Sequence, residues 1–207
     1  MPVLDLIAAE RRRVADLLGT LDEDQWNAPS LCGAWTVREV AAHLTAGWNV
    51  SRLEFARLLV RHRGFDGANA AYAKTLGERP TDAIVDDLRR NADDPFRPPL
   101  VGIVAQLADI ITHGQDIAIP LGIEHPVEAD RVRPALGLAI GRTARLVSPT
   151  THRSGIRFET EDQAWGWGSG PVARGSSVHV LIALLGRAAG ADRLSGPGAE
   201  LLRDRMA

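Results

Sequence analysis

Asp109, His113 and Asp116 stand in a stretch otherwise suited to a protein core, "LVGIVAQLADIITHGQDIAIPLG". Spacings of four and three put all three side chains on one face of an α-helix. A carboxylate one turn before an imidazole is a compact arm for a divalent metal. Helical bundles build metal sites from such pairs together with a ligand on a facing helix. His43, which interrupts the apolar run "VREVAAHLTAG", is the natural third ligand. Two imidazoles and one carboxylate leave room for water or substrate, as an open catalytic site requires. Asp116 fits better as an acceptor for an imidazole N–H than as a ligand. Plainer roles compete for the same residues: His43 as a hydrogen-bonded core histidine, and Asp109 with His113 as a helical ion pair of ~0.3–0.5 kcal/mol. Spacing alone leaves that choice open. His62, His125, His152 and His179 lack either an apolar helical context or partners at ligand spacing.

Long helices must position these groups. "VLDLIAAERRRVADLLGTL" carries Leu4, Ile7, Val14, Leu17, Leu18 and Leu21 near a 3.6-residue period and reads as a first amphipathic helix. "DEDQWNAPSLCGAW" reads as a loop punctuated by Pro29 and Gly33. Thr36 caps a second helix, with Glu39 completing a capping box. That helix is expected to run to about His62, bent at Gly47 and Trp48, which puts His43 midway along it. "RGFDGANAAYAKTLGERP" is mixed and in part loop, and "TDAIVDDLRRNADD" is a short helix opening on a Thr81 cap. The prolines at 95, 98 and 99 start a fourth long helix, over roughly 99–119, that stops at Pro120. Four helices with short connections predict an antiparallel bundle.

The pattern changes after "LGIEHP". "VEADRVRPALGLAIGRTARLV" is helical but interrupted by Pro134. "GIRFETEDQAWGWGSG" holds two short strands around a polar turn from Thr160 to Gln163, ended by Gly170 and Pro171. Ser176 or Ser177 caps a helix through "VHVLIALLGRAAG", and "AELLRDRM" closes the chain. The expected class is therefore α+β and mostly helical, with a bundle over 1–125 and a small C-terminal α+β domain over 126–207.

Bulk composition narrows the functional classes. The chain of 207 residues, 45% hydrophobic and 24% charged, can bury a core of ordinary size. A net charge of −2 offers no footprint for nucleic acid or an anionic membrane. "TVREVAAHLTAGWNVS" has turn spacings too long for a helix-turn-helix, and no basic helix follows it. Cys32 is the one cysteine, so no intrachain disulfide forms, which suits a reducing cytoplasm. "MPVLDLIAAERRR" puts its charges after its apolar residues, the wrong order for a signal peptide. "GWGSGPVARGSS" could cradle an anion through backbone N–H groups, but a plain connection between strand and helix is the favoured reading.

Three of these stretches together resemble a known family. "LCGAWTVREVAAHLTAG" resembles the entry to the metal-binding helix of the mycothiol-dependent maleylpyruvate isomerase family, part of the DinB-like bundle superfamily. "DIITHGQDIAIPLGI" resembles its second metal motif, and "GSGPVARGSSVHVLIALLGRAAGADRLSGPG" is similar to its small C-terminal domain. The resemblance spans nearly the whole chain with the motifs in order. It implies a DinB-like four-helix bundle with His43, Asp109 and His113 as metal ligands. It also implies zinc as the usual metal and mycothiol as a thiol cofactor in some members; nickel or iron are alternatives at the same ligands. The isomerase has Glu where this chain has Asp109, and the shorter side chain must approach a metal more closely.

The expected activity is metal-dependent, thiol-dependent transfer or isomerisation on a small molecule, with a low-molecular-weight thiol as partner. A metal stabilises the thiolate of a bound thiol, the nucleophilic form. Asp116 would orient an imidazole, and Arg187 is a candidate catalytic residue that could reach a carboxylate of substrate or cofactor, with a helix C-terminal charge favoured by the dipole as its plainer and preferred role. A non-enzymatic module binding metal or a small ligand, and a metal-dependent hydrolase, would use the same ligands.

Overall fold

The computed structural model describes residues 1–95, 102–142, 144–146 and 151–207. The protein is α+β and mostly helical, and its residues fall into two compact units: Met1–Phe96 with His113–Glu124, and Arg97–Thr112 with His125–Ala207.

In the first unit, α1 (Val3–Leu18) buries Ile7, Val14 and Leu18, the face its periodicity marks. Its buried Arg11 donates to the carbonyls of Asn91, Ala92 and Asp94 at 2.8–3.0 Å, taking up acceptors that a helix end leaves open. The stretch before Thr36 is not all loop. Asp22 and Gln25 form a reciprocal capping box that starts α2 (Glu23–Asn27). A second capping box forms as expected: Thr36 and Glu39 open α3 (Val37–His43), which buries Val37, Val40, Ala41 and Ala42.

The helix expected to reach His62 is instead three. Buried Thr45 turns its hydroxyl back onto the Ala42 carbonyl at 2.8 Å, and Ser51 caps a fresh start by accepting from the Glu54 N–H. The pieces are α3, α4 (Ala46–Asn49) and α5 (Arg52–Arg61). His43 is thus the last residue of a short helix rather than the middle of a long one. The region read as partly loop is α6 (Phe65–Gly77), which packs on α3 with Ala68, Tyr72 and Ala73 buried. Next comes α7 (Thr81–Arg90), packed on α1; Pro80, not Thr81, holds its cap position. α8 (Ile103–Ala118) has residues in both units and ends before Pro120. The expected start of that helix at 99–101, with the prolines at 98 and 99, lies outside the described residues.

In the second unit, α9 (Ala129–Ile140) runs straight through Pro134, which was expected to interrupt it. Of the remainder of that predicted segment, Ala144–Leu146 is a single 3-10 turn, while positions 143 and 147 lie outside the described residues. A second 3-10 turn covers Thr151–Arg153. The expected strand pair forms: β1 (Arg157–Thr160) is antiparallel to β2 (Gly166–Trp167), with Phe158 opposite Trp167. A third strand, β3 (Val172–Gly175), runs parallel to β1 on its other side, with Ala173 opposite Phe158. It occupies the glycine-rich stretch read as a plain connection. Gly168 makes the approach possible, because at its φ of +86° a Cβ would sit 2.2 Å from the Ile156 carbonyl oxygen.

α10 (Ser177–Leu184) is almost wholly buried. Ser176 holds the cap position as expected but makes no side-chain cap bond; both carboxylate oxygens of Asp162 accept from the Ser177 N–H instead, at 3.0 Å. A protein carboxylate therefore occupies the place an external anion would take there. The helix stops short of its expected end, with Gly186 at φ +87°, and α11 (Ala188–Ala191) and α12 (Pro197–Met206) complete the chain. No helix among the described residues is long and apolar enough to cross a membrane.

Candidate metal centre

α8 places Asp109, His113 and Asp116 on successive turns of one face, the first exposed and the last two buried. A buried carboxylate needs a donor. Asp116 has one in the His113 ring, whose Nδ1 stands 2.9 Å from Oδ2. With the proton on Nδ1, Nε2 carries the lone pair that a metal requires.

His43 meets this face from the end of α3. The two imidazoles lie edge to face with centroids 5.0 Å apart, and the Trp35 ring stands 5.3 Å from His43 and 6.5 Å from His113. His43, Asp109 and His113 each offer a ligand atom, and these atoms all lie within 4.8 Å of one another. Donors about 2.0–2.2 Å from a tetrahedral zinc ion stand roughly 3.3–3.6 Å apart. The group therefore needs only small side-chain adjustments to close on a cation, and its donors suit zinc, nickel or iron.

A residue that carried no signal in the sequence joins them. The Leu31 N–H donates to the Asp116 carbonyl at 3.0 Å, and Ser30 bonds the Trp35 carbonyl through both N–H and hydroxyl. The loop between α2 and α3 is thereby tied to α8, which brings the Cys32 thiol within 4.8 Å of the donor atoms of His113 and Asp116. Nothing local announces this, since Cys32 and His113 are joined only by the long-range pairing of loop and helix.

Arg187 sits in the second unit, half-buried at the cap position of α11, with Nη1 donating to the Leu185 carbonyl at 3.4 Å. His152 and His179 have protein partners in the same unit, the Ala183 carbonyl at 3.1 Å and the Ser176 hydroxyl at 2.9 Å. Burial holds the His152 pKa below the usual imidazole range, against the opposing pull of that carbonyl.

Residues 7–97 match the model of a family described as the mycothiol maleylpyruvate isomerase N-terminal domain. No curated protein matches the chain. Two crystal structures resemble it, each over 96% of this chain and 94% of its own: the mycothiol-dependent maleylpyruvate isomerase, with TM-score 0.57 at 14% identity, and a histidine-to-alanine mutant of such an isomerase, with TM-score 0.61 at 13% identity. At such identities the likeness is one of fold. Residues 7–97 thus match the mycothiol maleylpyruvate isomerase N-terminal domain model, and the chain has the fold of the mycothiol-dependent maleylpyruvate isomerase.

Proposed function

We propose that this protein is a divalent-metal-dependent enzyme that carries out thiol-dependent isomerisation or transfer on a small molecule, with mycothiol as the thiol. The observation that carries the reading is the meeting of His43 with Asp109 and His113, in a chain whose N-terminal residues match the isomerase domain model. Those three residues would hold the metal, with zinc the first choice and nickel or iron the alternatives. When bound, the cation supplies Lewis acidity that favours the thiolate of a thiol at neutral pH.

The remaining roles fall to the chain itself. Asp116 accepts the Nδ1 proton of His113 and so turns Nε2 outward as a donor. Trp35, packed on both imidazoles, restricts their rotamers and keeps water from that side of the rings. Arg187 is assigned to a carboxylate of substrate or cofactor, which its planar fork matches.

The test is metal content by plasma mass spectrometry on tag-free protein, for wild type, His43→Ala and His113→Ala. Turnover of maleylpyruvate would be assayed with and without mycothiol. The expected result is close to one metal per chain, lost in both variants while circular dichroism stays native, and turnover that needs metal and thiol together. A wild type that takes up no metal after reconstitution overturns the reading. Metal and ligand binding without turnover moves the assignment to a binding module, and metal-dependent turnover without thiol moves it to a hydrolase.

A further inference from the structure

The second unit holds a concavity of about 510 Å³ between the end of α9, both 3-10 turns and β2. Its wall includes Arg142, Arg145 and Arg153, with Ser154, Ile140 and Trp167. No acidic residue is among the described residues of that wall. The volume lies within the range of small-molecule sites, about 300–1,000 Å³.

Arg153 is the informative member. Only 7% of it is exposed, yet its partners among the described residues are a single carbonyl, that of Ala139, and the face of the Trp167 ring 5.4 Å away. A guanidinium has five N–H donors and stays charged, so one carbonyl and one ring leave several donors open to whatever fills the pocket. Burial and, next, the like charge of Arg145 both press its pKa down from the usual range. Arg142 and Arg145 are exposed on the same wall, and neither forms an ion pair among the described residues. A buried cation crowded by others is unfavourable unless an anion joins them. Arg79 and Arg90, by contrast, share the carboxylate of Asp87.

We propose that this pocket binds a small organic oxyanion, a carboxylate or a phosphate, held on Arg153 between Arg142 and Arg145 with its carbon skeleton against Trp167 and Ile140. Planar guanidinium forks match either oxyanion bidentately, and Trp167 supplies a flat apolar floor. The assignment rests on the second unit alone and does not depend on the metal reading.

Isothermal titration at fixed, low ionic strength tests it on the full chain. Succinate, inorganic phosphate and the neutral diamide of succinate serve as probes, against wild type, the Arg142→Ala/Arg145→Ala double variant and Arg153→Lys. One or both anions should bind with submillimolar Kd, and the diamide should not bind. Binding of succinate alone assigns the site to carboxylates, and binding of phosphate alone to phosphates. The double variant should weaken binding about tenfold or more, and Arg153→Lys several-fold, because an ammonium cannot reproduce the fork. The two exposed arginines keep the test sound should Arg153→Lys disturb folding. Equal binding of the diamide, an unchanged Kd in the double variant, or no saturable binding of either anion overturns the proposal.

Discussion

His113 in the first unit and Arg153 in the second are nitrogen bases buried to the same degree, each 7% exposed, but their surroundings differ in kind. His113 has a buried carboxylate on one ring nitrogen and a second imidazole facing it. Arg153 has a carbonyl, an aromatic face and a neighbouring like charge. An imidazole can be neutral, so burial costs it little, and a carboxylate behind it raises the donor strength of its other nitrogen. A guanidinium keeps its charge and leaves the demand for a counter-ion standing. Equal burial thus suits one residue to the proposed cation and the other to the proposed anion.

The comparison breaks most sharply by crossing variants and ligands. His113→Ala should remove essentially all bound metal and leave the affinity for succinate or phosphate unchanged within twofold. The arginine double variant should do the reverse. Mass spectrometry and calorimetry on wild type and both variants check this, and a variant that alters both readouts would overturn the separation of the two readouts.

Asp116→Asn sharpens the first half. The amide keeps an acceptor for the Nδ1 proton but loses the charge behind the ring, so metal affinity should fall about 10–100-fold. Competition with a chromophoric chelator measures it. An unchanged affinity would reduce Asp116 to a packing residue.

Asp87 shows what a carboxylate paired with arginines looks like here. Burial pushes its carboxyl pKa up, but hydrogen bonds from Asn49 and Arg79 and the charges of Arg79 and Arg90 outweigh that and hold it below the usual value. A pKa lower in the folded than in the unfolded chain adds stability above the ordinary carboxyl range, near pH ~3.9, and that stability is lost as pH falls through the folded value. Asp87→Asn should cost about 1–2 kcal/mol at neutral pH and flatten the acid limb of urea-unfolding stability. An identical acid limb in both proteins would remove Asp87 from the account. The smallest effect belongs to Thr36→Ala, which removes the cap that starts the helix ending in His43. It should lower stability by about 1 kcal/mol, read as a Tm decrease, with metal content retained.

Features governed by neighbours along the chain were legible in advance. The Thr36–Glu39 capping box, the buried stripe of α1 and the strand pair around the Thr160–Gln163 turn depend on dihedral preferences and short-range hydrogen bonds. The shared face of Asp109, His113 and Asp116 follows from helical periodicity alone. In two places where local signals were misread, a competing local bond had won. Thr45 and Ser51 divided what looked like one helix, and the Asp22–Gln25 box made a helix inside an apparent loop.

The sequence by itself determined which side chains one helix would present together, because a 3.6-residue period needs no knowledge of the rest of the fold. Tertiary structure decided what those side chains meet. His43 and Cys32 reach His113 across some 70 and 80 residues of chain, β3 pairs with β1 through glycines whose conformation only the finished sheet demands, and Arg153 shares a pocket with Trp167. These are long-range contacts, set by how whole elements pack, and no local propensity encodes them.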